Sequence, residues 1–141
     1  MIGAIIAKRK VRSAYDSLNR RDLSSFLANW REDATFIYYG AAFVSGRFEG
    51  KKAIGQFAQK YWEQFPKWNI TVKNIMVQNI FAFGSTNVVA VEWDLALTDR
   101  EGRNFQESAV SIIRIKRGKA VLVCDYKDPE ADRKAWGENK V

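Results

Sequence analysis

The chain has 141 residues, of which 47% are hydrophobic and 13% aromatic, so it is long enough to bury the core of one domain and too apolar to be disordered. It contains no histidine and one cysteine, which excludes histidine-based catalysis and an intrachain disulfide and argues against a metal site. The net charge of +7 is spread along the chain without a groove-reading or RNA-binding motif, so nucleic acid is not a predicted partner.

The first third of the chain predicts two helices and a strand. Residues 1–7 are apolar but too short for the core of a signal peptide, and no apolar run is long enough to cross a membrane. We therefore predict a cytoplasmic protein without a membrane partner. Apolar residues at helical spacing predict a helix over 4–18 and, after an N-cap at Asp22, a short helix with Trp30 on its apolar face. β-Prone residues predict a strand over 34–39.

The rest of the chain predicts one more helix and then strands in series. Three glycines predict a loop over 40–50, and an apolar stripe predicts a helix over 51–65 that Pro66 ends. After Pro129 the chain is polar, and we expect a tail over about 130–141. The predicted strands cover residues 68–77, 87–98, 105–116 and 120–126, with an apolar stub over 80–83.

The last two predicted strands form a hairpin that turns at Arg117 and Gly118. Alternation places Glu107 and Ser111 on one face of the first strand, and Asp125 with the valines of 121–123 on one face of the second. Neither face of the hairpin is purely polar, so we expect both to be covered. A carboxylate on an apolar face is a candidate functional group; the alternative is an aspartate that reaches water at the strand end.

Three helices interleaved with one strand, and then strands in series, predict a single α+β domain over residues 1–141. Strands joined by short turns give a mostly antiparallel sheet, and a long, twisted sheet curves around whatever packs on it. We therefore predict a cone-shaped α+β roll, in which three helices pack on the concave face of the sheet and enclose a central cavity.

Three segments of the chain resemble one known family. They are DSLNRRDLSSFLANWREDATFIY (16–38), GRFEGKKAIGQFAQKYW (46–62) and GKAVLVCDYKDP (118–129). Their order and spacing resemble the nuclear transport factor 2-like superfamily, in particular its SnoaL-like polyketide cyclase, ketosteroid isomerase and limonene epoxide hydrolase-like branch. The resemblance implies a conical roll, usually a homodimer, with a pocket between the sheet and the helices.

The catalytic residues of that branch are mostly missing here. The ketosteroid isomerase base and its two oxyanion-hole residues correspond to Tyr38, Ala14 and Ser111. Of the arginine and two aspartates of the epoxide hydrolases, only Asp125 is present, because the other positions hold Ala109 and Ser111. Scytalone dehydratase-like chemistry needs histidines, which the chain lacks.

We expect Asp125 to be the acid or base of the pocket, with a pKa raised by its apolar surroundings. Tyr38 is predicted to donate a hydrogen bond to a developing oxyanion, or else to be an aromatic residue at the edge of the core. Trp93 is expected to face the core; the reverse would turn Glu92 and Asp94 into the cavity. The predicted substrate-binding residues are Tyr15, Trp30, Phe57, Tyr61, Trp93, Glu107 and Ser111.

Two functions remain open from the sequence. The first is an enzyme (a cyclase, isomerase, lyase or hydrolase) that acts on a small, largely apolar, cyclic substrate without a cofactor. Asp125 and the many aromatic residues favour it. The second is a non-catalytic ligand-binding or dimeric interaction domain, favoured by the missing catalytic residues. We prefer the enzyme. We also predict a homodimer through the sheet, because the long strands carry apolar residues that the helices cannot cover.

Overall fold

One curved sheet positions the rest of the protein. The structure is a computed structural model, and it describes residues 2–40, 42, 44–81 and 86–137. In this part of the chain the helices are α1 (Ile2–Asn19), α2 (Leu23–Ala28), α3 (Gly50–Gln64) and α4 (Pro129–Trp136). The strands are β1 (Trp30–Tyr39), β2 (Gly46–Glu49), β3 (Lys67–Val77), β4 (Thr86–Thr98), β5 (Asn104–Lys116) and β6 (Lys119–Lys127).

The strands lie in the order β2-β1-β6-β5-β4-β3. Serial hairpins make β3 to β6 antiparallel, whereas β1 pairs with β6 in parallel because the chain returns to it from the far side of the sheet. The α+β class and the curved, mostly antiparallel sheet are confirmed. Within the described ranges, no helix has both the length and the apolar character that a bilayer crossing requires.

The N-terminal helices follow the predicted periodicity, with one correction. Asp22 caps α2 as expected, since its carboxylate accepts from the backbone N–H of Ser25 at 3.0 Å. Trp30 begins β1 instead of ending α2, so its predicted helical position is wrong. The reason is the neighbouring strand: the N–H of Ala120 donates to the carbonyl of Asn29 at 2.8 Å, which starts the parallel pairing. The Trp30 ring still packs on Phe26, with centroids 5.6 Å apart.

A predicted loop contains a short strand, and the predicted apolar stub begins as a turn. Residues 46–49, predicted as loop, form β2 and pair with β1. Phe48 stacks on Phe36 at 5.9 Å, and the hydroxyl of Thr35 donates to Glu49 at 2.8 Å, so this short strand is held from both faces. The apolar stub predicted over 80–83 is a turn at Ile80 and Phe81, and residues 82 and 83 lie outside the described part.

The expected polar tail forms α4 up to Trp136. Asp128 caps this helix at the N–H of Glu130, and Pro129 occupies its first turn, where the missing N–H costs nothing. Asp132, Ala135 and Trp136 are buried, so the tail is part of the core, which the sequence interpretation had missed. Residues 138–141 of the predicted tail lie outside the described part.

The β5–β6 hairpin carries the predicted carboxylate. Its turn has φ of 50° at Arg117 and 78° at Gly118, the left-handed pair that a two-residue hairpin loop favours. A register shift between Arg114 and Ile115 turns Ala120, rather than Val121, toward the cavity. The predicted face of β6 is therefore correct for Val123 and Asp125 and wrong for Val121.

Candidate active site

An apolar cavity of about 140 Å³ lies between the concave face of the sheet and α1, α2 and α3. Cavities of this order hold a ligand of about one aromatic ring. Its wall includes eight of the nine side chains that the sequence predicts for the site: Tyr15, Trp30, Tyr38, Phe57, Tyr61, Trp93, Ser111 and Asp125.

Periodicity explains why these side chains meet. Phe57 and Tyr61 stand one turn apart on α3, and Tyr15 lies on the buried stripe of α1. Ser111 and Asp125 face each other as paired residues of β5 and β6. Both thus lie on the same face of the sheet, toward the helices.

Ser111 organises the polar centre of the cavity. Its hydroxyl donates to Asp125 Oδ1 at 2.5 Å and accepts from the Tyr15 hydroxyl and from Trp93 Nε1, each at 2.9 Å. A hydroxyl has one hydrogen and two acceptor positions, so all three are used. Since Tyr15 and Trp93 occupy the acceptor positions, the Ser111 hydrogen must point to Asp125.

Asp125 is the carboxylate of the cavity wall. Burial raises its pKa to about 6, although the hydrogen bond from Ser111 and the positive charge of Lys127 act in the opposite direction. Desolvation penalises the charged form of an acid, and here that effect outweighs both stabilising contacts. A carboxyl group with this pKa exchanges protons near neutral pH far more readily than a free aspartate.

A second polar cluster lies beside the first. Lys127 Nζ donates to the Tyr61 hydroxyl at 2.7 Å and to Glu107 Oε2 at 2.8 Å. The side chains of Lys127 and Glu107 are 2% and 1% exposed, so this ion pair is withdrawn from water. The ammonium also lies 4.9 Å from the Tyr38 ring, 5.0 Å from Tyr61 and 5.4 Å from Trp93.

The neighbours of Lys127 keep its ammonium group protonated. Burial alone would lower the pKa of Lys127. Tyr61 and the Glu107 carboxylate raise it by more than burial lowers it, so the pKa of Lys127 lies above its usual value. Glu107 itself does not line the cavity; Lys127 takes that place, and Glu107 Oε1 is buried without a hydrogen-bond partner. The predicted contact of Glu107 with substrate is thus replaced by a contact with Lys127.

The Tyr38 hydroxyl is directed away from Asp125. It donates to Asp132 Oδ1 on α4, and the backbone N–H of Ala42 donates to Asp132 Oδ2 at 3.4 Å. Burial and nearby Tyr61 and Asp132 raise the pKa of Tyr38 well above its usual range, so the phenol stays protonated. The predicted oxyanion role would require this hydroxyl to leave Asp132.

Two residues of the site were missed from the sequence. Lys127 is two residues after Asp125, so alternation places it on the same face, but the predicted strand ended at Tyr126. Asp132 lies in the segment that was taken for a tail, although an aspartate before Pro129 is a common start of a helix. Both signals were present in the sequence.

The other candidates lie outside the cavity. Trp93 faces inward as preferred, so Glu92 and Asp94 point to the opposite face, where both lie 3.6 Å from Lys73 Nζ. Cys124 also lies off the cavity wall, and burial raises the pKa of its thiol, which makes it a poor nucleophile. The described residues contain no cluster of three or more His, Cys, Asp or Glu side chains that could hold a metal ion.

Comparison with known proteins agrees with this fold. YesE of Bacillus subtilis (strain 168), an uncharacterized protein, is 25% identical over 119 residues, which cover 83% of this chain and 78% of YesE. An NTF2-like protein of unknown function from Burkholderia pseudomallei K96243 superposes with a TM-score of 0.80 at 18% identity, covering 94% of this chain and 98% of that one. TerC, co-crystallized with polyporic acid, gives 0.75 at 16% identity, covering 92% and 97%.

The family assignment comes from the sequence itself. The sequence model of the SnoaL-like domain matches residues 11–123, which include β1 to β5, most of β6 and the whole of α2 and α3. The curved, mostly antiparallel six-stranded sheet with its helices is consistent with the NTF2-like cone. The chain therefore belongs to the SnoaL-like domain family of the NTF2-like superfamily.

Proposed function

We propose that the protein is an enzyme that moves a proton on a small, largely apolar, cyclic substrate, with Asp125 as the general base and then the general acid. One observation carries the proposal: the Asp125 carboxylate lies on the wall of an apolar cavity, and Ser111 holds one of its oxygens at 2.5 Å. At neutral pH a group with a pKa of about 6 is mostly ionised and can accept a proton.

The surrounding residues fit proton abstraction next to a carbonyl group. The proton passes from the substrate carbon to Asp125, and the electron pair moves to the carbonyl oxygen as an enolate. The ammonium of Lys127 lines the same cavity and can stabilise that oxygen. Return of the proton from Asp125 to another carbon gives an isomer. Alternatively, the enolate carbon attacks a second carbonyl carbon of the substrate, which closes a ring, and the alkoxide so formed takes the proton back from Asp125. This scheme covers the isomerase and cyclase classes.

The cavity limits the substrate. Its volume suits about one ring, and its wall is made mainly of aromatic and aliphatic side chains, among which Ser111, Asp125 and Lys127 are polar. TerC, which shares this fold, was co-crystallized with an organic compound, polyporic acid, and this supports a small organic ligand for the chain. We expect monocyclic ketones, enones or 1,3-diketones to be the first compounds worth testing.

Deuterium exchange tests the proposal directly. The protein should speed exchange of the acidic C–H of monocyclic enones and diketones in D₂O above the buffer rate, as followed by NMR. Asp125→Asn should lower the rate by about 10² to 10⁴. Asp94→Asn makes the same change on the outer face, where Asp94 accepts from Ser108 at 2.7 Å, and should leave the rate unchanged. Full activity in Asp125→Asn would refute the mechanism.

A non-catalytic binding domain is the second candidate. The polar groups at the cavity are already paired with one another: Tyr15 with Ser111, Tyr38 with Asp132, and Lys127 with Glu107. A cavity wall whose polar groups already have hydrogen-bond partners can bind an apolar ligand without reacting with it. Saturable binding of the same ring compounds, with no exchange above buffer and little effect of Asp125→Asn, is the result this function requires.

A homodimer through the outer face of the sheet belongs to the same proposal. Tyr39 and Tyr126 stack there with centroids 4.9 Å apart, yet remain 45% and 49% exposed. Val110, Ile112 and Leu122 are only half-buried on the same face. Apolar side chains in adjacent strands are a surface that a second copy could cover.

A further inference from the structure

The positive charge of the chain is concentrated in space, although it looks scattered in the sequence. The middle of α1 carries Lys8, Arg9, Lys10 and Arg12, and the β5–β6 hairpin carries Arg114, Lys116, Arg117 and Lys119. Residues 2–15 and 108–124 contain no acidic residue. The other 15 basic residues of the chain are balanced by its 16 acidic residues, so these two segments account for the net charge of +7.

The fold brings the two segments together. Lys10 Nζ donates to the carbonyl of Gly118 in the hairpin turn at 3.2 Å, across 108 residues of sequence. Among the described residues, none of the eight basic side chains lies within 4 Å of a carboxylate. We call this group of eight side chains the basic rim.

One residue of the basic rim, Lys10, lines the cavity beside Gly118 of the hairpin turn. Among the described residues that line the cavity, Lys10 alone is exposed, and Asn29, Gly118 and Ala120 near it are half-exposed. Other lining residues, such as Tyr61 of α3 and Trp93 of β4, are buried. A ligand that enters from solvent therefore passes between α1 and the hairpin turn.

Apolar side chains extend from the basic rim. Ile2, Ile5 and Ile6 of α1 are 65%, 50% and 48% exposed, and their spacing places them on one side of the helix. Arg9 follows one turn later on that side. Branched apolar residues next to unpaired cations, on one helix, are the pattern of a segment that lies at a lipid surface.

We propose that the basic rim and Ile2, Ile5 and Ile6 dock the protein on an anionic lipid membrane, with the cavity mouth facing the lipid. The cations attract anionic headgroups, and the isoleucines enter the boundary between headgroups and acyl chains. An apolar ring compound concentrated in the membrane can then enter the cavity without crossing water. This contact is peripheral and needs no spanning helix.

The combination of residues favours a membrane over a nucleic acid. Phosphates of nucleic acid would be attracted by the same cations, but exposed isoleucines add nothing to phosphate binding. A lipid surface uses both features.

Vesicle sedimentation tests the proposal with the full chain. The protein should pellet with vesicles of phosphatidylcholine mixed with phosphatidylserine, stay in solution with phosphatidylcholine alone, and be released by salt. Two double variants should each weaken binding by about tenfold or more: Lys116→Gln/Lys119→Gln and Ile5→Ser/Ile6→Ser. Lys60→Gln/Lys67→Gln removes two exposed charges outside the rim and should bind as the wild type does. Circular dichroism would show that each variant is folded.

Three results would overturn the proposal. The first is absence of wild-type binding to the anionic vesicles. The second is an equal loss in Lys60→Gln/Lys67→Gln, because net charge alone would then explain the binding. The third is unchanged vesicle binding in Ile5→Ser/Ile6→Ser together with tighter, salt-sensitive binding of a DNA or RNA duplex, which would identify the surface as a polyanion site.

Discussion

Ser111 determines how Asp125 is held, because its single hydrogen and both acceptor positions are engaged at once. Ser111→Ala would leave the Tyr15 hydroxyl and the Trp93 indole N–H buried without an acceptor. We expect a loss of about 1–3 kcal/mol in the free energy of unfolding for such a group. The pKa of Asp125 should rise further, since the hydrogen bond that lowers it is gone. Denaturant unfolding and an NMR titration measure both effects.

Ser108→Ala is the matched control for this prediction. Ser108 lies on the same strand, but its hydroxyl bonds to the exposed Asp94 on the outer face. Its replacement should change stability by less than about 0.5 kcal/mol. An equal loss of stability in Ser111→Ala and Ser108→Ala would mean that the hydrogen bonds of Ser111 do not contribute more to stability than the exposed hydrogen bond of Ser108.

Asp125 should also make stability depend on pH. Its pKa is about 6 in the folded protein and 3.8 in the unfolded chain, so between these values the folded state binds more protons. The stability that this group contributes is complete below about pH 4 and is lost as the pH rises through 6. The loss is on the order of 3 kcal/mol by the linkage of pKa to free energy.

Asp125→Asn removes this titration while keeping an oxygen that can accept from Ser111. Relative to the wild type, the variant should therefore gain stability between pH 4 and pH 7, as measured by denaturant unfolding at each pH. The deuterium exchange rate of the wild type should rise over the same interval, because only the ionised carboxylate accepts a proton. A stability difference that does not change with pH would contradict the buried carboxyl.

At the scale of elements, α4 is joined to the cavity wall by two buried contacts. Asp132 is fully buried and accepts a hydrogen bond from the Tyr38 hydroxyl. Trp136 packs on Tyr61, with ring centroids 4.8 Å apart. Asp132→Ala would leave the phenol with only the Tyr61 hydroxyl, 3.5 Å away, and open a space beneath the helix. We predict a loss of about 2–4 kcal/mol in the free energy of unfolding, measured with denaturant.

Asp132→Asn retains an oxygen that can accept from Tyr38 and should lose much less stability than the alanine variant. Tyr38→Phe should also destabilise the protein, because the Asp132 carboxylate then keeps only the longer hydrogen bond from the N–H of Ala42. If Tyr38→Phe instead preserved stability and lowered the exchange rate, the phenol would act on the substrate, as the sequence first suggested.

Some elements could be predicted from sequence and others could not, for physical reasons. The 3.6-residue stripes of α1 and α3 and the alternation in β4 and β5 are local, and they placed Tyr15, Phe57, Trp93 and Ser111 correctly. Trp30 belongs to β1 and not to α2 because it pairs with β6. This contact joins segments that are distant in the sequence, so local periodicity could not show it.

At the scale of the whole molecule, the same distinction applies to charge and to the site. The basic rim exists only because α1 meets the hairpin turn, and a linear view of the sequence found scattered positives instead. The roles of site residues depend on their hydrogen-bond partners. The sequence identified Tyr38 and Glu107 as site residues, but it did not show that Tyr38 bonds to Asp132 or that Glu107 bonds to Lys127. Which face Asp125 takes followed from alternation, whereas its pKa depends on burial by elements far away in sequence.

The proposed dimer is the remaining property of the whole molecule, and its outer-face residues make it testable. Ile112 lies on β5, beside Cys124 of β6 in the pairing register, and is half-buried in a single chain. A second copy packed on this face would bury Ile112 fully, so Ile112→Lys would place a charge inside the interface. Sedimentation at micromolar concentration should give about twice the 16.2 kDa of one chain for the wild type and one chain for Ile112→Lys.

Met76→Lys is the control for this experiment, since Met76 is 57% exposed on the edge strand β3, away from the centre of the outer face. It introduces the same charge and should sediment as the wild type does. Tyr39 and Tyr126, stacked and about half-exposed in one chain, should lose solvent accessibility in the dimer, which hydrogen exchange of β1 and β6 can report. A wild-type protein that sediments only as a 16.2 kDa species would rule out the dimer and leave these tyrosines as solvent-exposed surface.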